Sequence, residues 1–246
     1  MASVAEVLRG CVFSAVLILN TAVAFGFAGD ADPFEAATQL NDDALRHELQ
    51  RLVSKAHKTS LDYSDARRVI LKELHVDGDV IHEVYCQKDI PAKQWQDDKL
   101  INIEHTWPQS RFGGSGSKSI KKSDLHHLFP TDSQMNNSRG NFKFGDVDGP
   151  TKELKCSESR MSDGPKGPRF EPPAVHKGNV ARALFYFSIR YDMAIDADEE
   201  KTIRRWHELD PVDEAERARN DAIEARQGNR NPFIDHPEFA EQISNF

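Results

Sequence analysis

Three short segments of this 246-residue chain concentrate the side chains best suited to chemistry: Glu104-His105-Thr106-Trp107-Pro108, Asp124-Leu125-His126-His127 and Asn136-Asn137-Ser138-Arg139-Gly140-Asn141. Imidazole is the side chain whose ordinary pKa suits removing a proton from water near neutral pH. Carboxylate and amide carbonyl oxygens suit a hard cation such as magnesium, which keeps much of its water shell. Such a cation stabilises charge that builds on a phosphate and on its departing oxygen. The set therefore has the parts for hydrolysing a phosphodiester, with Glu104 and Asn136 as metal ligands and His105 as the base. Zinc is a poorer match than magnesium or manganese for oxygen donors of this kind. Taken singly, each residue has an ordinary structural reading. A histidine at a strand end is commonly a hydrogen-bonded group, and an asparagine in a short helix is commonly a cap. The pattern carries weight only as a set.

Several elements must position these residues. Leu45, Leu49, Leu52 and Val53 fall at helical spacing within residues 39–57. Ala66, Val69, Ile70 and Leu74 do the same over 63–75, with Ser64-Asp65 as an N-terminal signal. Asp77-Gly78-Asp79 is a turn, and Val80, Ile81, Val84 and Tyr85 read as a strand. A strand is predicted over 99–105, stopped by Pro108. Adjacent strand residues point to opposite faces, so a bulge, twist or turn at its end must bring Glu104 and His105 to one phosphate. Residues 111–123, rich in Gly, Ser and Lys, read as a flexible basic loop. A short strand is expected over 124–129, a short helix between Pro130 and Asn141, and irregular chain over 145–173. Helices follow at 176–192, 198–209 and 212–227, ended by Gly228. The order indicates an α+β fold. Phe185, Tyr186 and Phe187 read as helix core rather than as platforms for stacking bases.

Hydrophobic content of 38% and charged content of 29% favour a soluble globular protein over a disordered or membrane chain. The long apolar run lies at residues 11–28, behind Arg9, with Ala22-Val23-Ala24 as a small-residue cleavage site. It reads as a signal peptide over 1–28, ahead of a single domain over 29–246, although Glu6 departs from a positive n-region. An uncleaved anchor is the alternative. Export implies a periplasmic or extracellular location and no stable membrane association after cleavage. Cys11 leaves with such a leader. Cys86 and Cys156 then either pair in an oxidising compartment or remain two buried thiols. The net charge of −8 hides an asymmetry: residues 111–190 carry 14 Lys+Arg and 8 Asp+Glu, while both flanks are acidic. A basic middle can bind phosphates on an acidic molecule. Lys118, Lys121, Lys122, Arg139, Lys143, Lys177 and Arg182 are the candidate contacts.

Longer stretches carry a resemblance. Residues 103–110 and 124–145, together with 171–187 and 227–233, resemble the signature of the bacterial endonuclease I family. The similarity runs over roughly residues 60–240, and four ordered motifs make it specific. The resemblance implies a ββα-metal (His-Me finger) core within a mainly helical domain. It implies His105 as general base, and Glu104 and Asn136 as ligands of one magnesium, for which manganese or calcium can substitute. It also implies cleavage of DNA, and of RNA, with little sequence preference and with 5′-phosphate ends, by a monomer. Asp124, His126 and Asn141 are assigned supporting roles. Two departures stand out. Some members carry an arginine between the catalytic histidine and the Asp-x-His motif. Only Arg111 lies there, earlier in the chain, so Arg111 is placed beside His105, with Lys118 as the alternative. Lys122 stands where some members have an acidic residue. A competing reading is an exported nucleic-acid-binding module without catalysis; a second is a phosphodiesterase of small nucleotides.

Overall fold

Leucines four residues apart build the first helix, α1 (Asp42–Ala56), which buries Leu45, Leu49 and Val53. The computed structural model describes residues 32–58, 61–164 and 167–246; the expected leader over 1–28, with Cys11, lies outside them. Asp62, rather than Ser64 or Asp65, caps α2 (Tyr63–Val69), its carboxylate accepting the Asp65 N–H at 2.8 Å. A π turn, Ile70–Leu74, prolongs α2 and places Ile70 and Leu71 in the interior. The strands β1 (Val76–Asp77), β2 (Val80–His82) and β3 (Asp89–Pro91) form an antiparallel meander. The predicted strand stops at His82 rather than Tyr85. The buried Glu83 carboxylate collects the N–H groups of Tyr85, Cys86, Lys88 and Asp132, and so folds 83–88 into a turn instead. Cys86 and Cys156 form a disulfide with Cα atoms 5.6 Å apart, which fixes this turn to the segment before β7.

The next elements make a strand–strand–helix unit. Strand β4 (Ile101–His105) pairs antiparallel with β5 (Leu128–Asp132), in a register from Ile101–Asp132 to His105–Leu128. Helix α4 (Ser133–Arg139) follows at once, because Asp132 caps it by accepting the Gln134 and Met135 N–H groups. The basic loop is less free than its composition suggests. Ser117 caps a short helix, α3 (Lys118–Ser123), and the Ser115 N–H bonds the Tyr191 carbonyl at 2.7 Å. Gly114 has φ +60°, and a Cβ there would meet the Tyr191 oxygen at 2.1 Å, so only glycine fits. The expected strand over 124–129 begins with a 3₁₀ turn, Leu125–His127, because the Asp124 side chain caps it. Residues 145–173 also hold regular structure. β7 (Arg160–Ser162) and β8 (Arg169–Glu171) pair, and β8 runs parallel to β6 (Lys143–Phe144).

Helices α5 (Lys177–Tyr191), α6 (Ala197–Leu209) and α7 (Glu214–Gln227) appear as the periodicity predicts, and Gly228 ends α7 at φ +91°. Two short helices, α8 (Pro232–Asp235) and α9 (Phe239–Gln242), complete an α+β fold. Two hydrophobic clusters support it. The larger surrounds α5, where Phe185, Tyr186 and Phe187 are fully buried. The smaller joins Ala66, Val69, Ile70 and Ile223 to Ile101 and Ile103 of β4, and so anchors one face of the strand that ends in Glu104 and His105.

Candidate active site

His105 is the last paired residue of β4. Its Nε2 lies 2.9 Å from the Lys122 carbonyl oxygen. A carbonyl only accepts, so Nε2 carries the hydrogen and Nδ1 keeps its lone pair. Gln109 Nε2 lies 3.4 Å from that Nδ1. Tyr63 stacks on the ring with centroids 5.5 Å apart at 29°, and His127 meets it edge-on at 5.3 Å. Burial, then the neighbouring His127, lower the His105 pKa to about 3, so the imidazole is neutral near pH 7.

The neighbouring Glu104 is 2% exposed, and its Oε1 accepts the Tyr85 hydroxyl at 2.8 Å. Arg139 Nη1 lies 2.8 Å from the same oxygen, which leaves Oε2 for a further ligand. Burial raises the Glu104 carboxyl above its ordinary pKa, while Arg139 and the Tyr85 hydroxyl oppose the shift. Asn136 Nδ2 donates to the Ile103 carbonyl at 3.0 Å. That bond fixes which end of the amide is nitrogen, and it frees Oδ1 as an acceptor. Glu104, His105, Asn136, Arg139, Asn141, Tyr63 and Gln109 all line one open cavity of about 520 Å³. The pleat alone would part Glu104 from His105; they share the cavity because the strand ends at His105 and the chain turns through Trp107-Pro108. No group of three His, Cys, Asp or Glu side chains that could hold a metal exists among the described residues. The donors here are one carboxylate and one amide oxygen. They fit a hydrated hard cation and not a structural zinc.

Other expected contacts lie elsewhere. Arg111 is outside this cavity: it sits over the Trp107 ring and pairs with Glu199 at 3.3 Å. Arg139 does not face a ligand as a free cation. It is 1% exposed, bonds the His105 and Thr106 carbonyls at 3.1 and 2.9 Å, and serves Glu104. Arg182 is equally buried and pairs with Glu216 at 2.5 Å. Lys121 is buried against Tyr191, with Nζ 2.8 Å from the Gly116 carbonyl. Lys143 pairs with Asp196, and Lys177 with Glu171. Lys118 is exposed on α3, and Lys122 is half-buried with Nζ 4.4 Å from the Tyr63 ring centre. Asn141 donates to Ser110 Oγ at 3.3 Å on the cavity rim. Asp124 is a buried hub that accepts the hydroxyls of Tyr186 and Tyr191 and the Gln227 amide. Burial opposes its ionisation, but His126, His127, His57 and Gln227 hold the carboxyl below the usual range. His126 Nε2 is 3.1 Å from the Asn229 carbonyl, packed against Tyr186 and away from the cavity.

Tyr63 and Gln109 line the cavity and Tyr85 bonds Glu104, yet nothing in the sequence marks them for the site. Tyr63 and Tyr85 are remote from the motif in the chain and give no local signal. For Arg139 the spacing from Asn136 gives a shared helix face but no sign of the partner on β4 that buries it.

The cleft thus gathers a neutral imidazole, whose Nδ1 faces the Gln109 amide at its rim, with a carboxylate and an amide oxygen, groups suited to hydrolysis. The family model described as Endonuclease I matches residues 38–238. An extracellular ribonuclease of Bacillus subtilis (strain 168) is 33% identical over 249 residues, spanning 92% of this chain and 83% of the relative. An extracellular deoxyribonuclease of Aeromonas hydrophila is 34% identical over 167 residues, spanning 59% of this chain and 70% of that protein. Endonuclease-1 of Buchnera aphidicola subsp. Baizongia pistaciae (strain Bp) is 29% identical over 149 residues, spanning 54% and 61%. The chain belongs to the Endonuclease I family and is a nuclease. Among the described residues no helix is long and apolar enough to cross a membrane.

Proposed function

We propose that this protein is an exported endonuclease that hydrolyses phosphodiester bonds of DNA and RNA with little sequence preference and leaves 5′-phosphate ends. The carrying observation is the His105 ring, tied through Nε2 to the Lys122 carbonyl while Nδ1 opens on the cavity that holds Glu104 and Asn136. His105 Nδ1 takes the proton of a water aligned with the phosphorus. Glu104 and Asn136 would hold one magnesium, with manganese or calcium as substitutes. When bound, that cation supplies charge stabilisation at the phosphate and the leaving 3′-oxygen. Arg139 holds Glu104 in place and neutralises part of its charge, and Lys118 and Lys122 are the cations left to meet the backbone. Contacts to phosphate give affinity without base preference.

In this reading β4, β5 and α4 are the ββα-metal core. The relatives named for ribonuclease and deoxyribonuclease activity support both polymers as substrates. The names of extracellular and periplasmic relatives, with the apolar stretch over 11–28, support export behind a cleaved leader; the single nuclease domain that follows works as a monomer in this reading. Plasmid and a ribosomal RNA fragment incubated with purified protein test the reading. Cleavage of both in magnesium, abolished by EDTA and restored by excess magnesium, is the predicted result. Intact substrates in both magnesium and manganese would leave the non-catalytic binding module as the better account. Cleavage of a dinucleotide at the rate of duplex DNA would instead favour the small-nucleotide phosphodiesterase.

A further inference from the structure

We propose that Tyr63 is a positioning residue that holds the His105 imidazole in the plane needed for proton abstraction. The inference rests on the reading of His105 as the base. The Lys122 carbonyl on Nε2 and the longer Gln109 contact on Nδ1 act at the ring edge, so both leave the tilt of the ring face to be set by what packs against it. A flat partner fixes that tilt. Tyr63 stacks on the imidazole at 5.5 Å and 29°, while His127 closes another side edge-on at 5.3 Å and 72°. Those geometries are ordinary for attractive ring pairs.

Tyr63 is itself held. It opens α2, whose N-terminus is capped by Asp62, and Ala66, Val69 and Ile70 root that helix in the smaller core. The ring is half-buried and packs against that core. Lys122 contributes twice: its carbonyl receives the His105 Nε2 hydrogen, and its Nζ lies 4.4 Å from the centre of the Tyr63 ring. Tyr63 and Lys122 therefore lock each other and the base between α2 and α3. The alternative use of Tyr63, as a stacking platform for a substrate base, is disfavoured because its ring already meets an imidazole and an ammonium group. The flat ring, not the hydroxyl, makes the contact with the imidazole.

Single-turnover cleavage of duplex DNA at saturating enzyme, with affinity measured separately in EDTA, tests this on Tyr63→Leu, Tyr63→Phe and His105→Ala. Leucine keeps the apolar packing but removes the flat face. Tyr63→Leu should cleave roughly ten- to a hundredfold more slowly with unchanged affinity, as expected when a reacting group loses alignment. Tyr63→Phe should cleave at the wild-type rate. A wild-type rate in Tyr63→Leu overturns the proposal, as does a loss confined to affinity or an equal loss in Tyr63→Phe. Inactive His105→Ala beside fully active Tyr63→Leu would overturn the positioning role alone, whereas active His105→Ala would overturn the base assignment and this role with it. Thermal unfolding checks that the variants fold; should Tyr63→Leu not fold, Tyr63→Met carries the same test.

Discussion

The Arg139 guanidinium makes the site's central electrostatic contact. It holds the buried Glu104 carboxylate and two main-chain carbonyls, those of His105 and Thr106, in one arrangement. Removing one partner of a buried pair leaves the other charge unpaired and typically costs about 3–5 kcal/mol. Arg139→Met should therefore lower the unfolding free energy by about that amount in urea titration. A change within experimental error would mean that Glu104 is not held by this pair. Glu104, His105 and Asn136 stand out in the chain as a set, and they share a cavity. Their supports were harder to read. Arg139 reads as a surface phosphate contact until the fold buries it, and Arg111 reads as an active-site cation until Glu199, 88 residues away, claims it. Long-range pairing of this kind leaves no local trace in a sequence.

Helical spacing made α1, α6 and α7 legible, because each buries one stripe, whereas α5 is buried on nearly all sides and shows as a long apolar helix. The short strands were less so. Glu83 converts an apolar run into a turn, and Asp124 converts the start of a strand into a 3₁₀ capped turn, through side-chain hydrogen bonds that compete with a ladder. The Cys86–Cys156 disulfide was one of two readings of the cysteines, and the structure joins them across 70 residues. It ties the turn carrying Tyr85, and so the hydroxyl on Glu104, to the segment before β7. In the chain-entropy account a loop of that length is worth about 4 kcal/mol, so Cys156→Ser should lower the denaturation midpoint accordingly. An unchanged midpoint would show that the unfolded chain gains little freedom from losing the crosslink.

At the scale of the whole molecule, histidine burial sets the response to acid. His105 and His176 are lowered to about 3, and His126 and His127 to about 4, with burial the first cause in each. His75 and His207 are lowered as well. Each depressed value means that the unfolded chain takes up the proton first, below about pH 6.5. Their contribution to stability is thus full above that pH and is lost as pH falls toward the folded-state values. Burial raises Glu104 and Glu216, which act in the opposite sense, but the histidines outnumber them. The melting temperature should fall between pH 7 and pH 5, as calorimetry would read it. A melting temperature that holds or rises over that window would contradict neutral, buried imidazoles.

The most direct test of the catalytic account is the turnover of His105→Ala on duplex DNA in magnesium, measured beside its DNA affinity. With the other cavity residues intact, kcat should fall by about 10²–10⁴, the usual cost of losing a general base, while affinity stays near wild type. A variant that cleaves at the wild-type rate would show that another group activates the water.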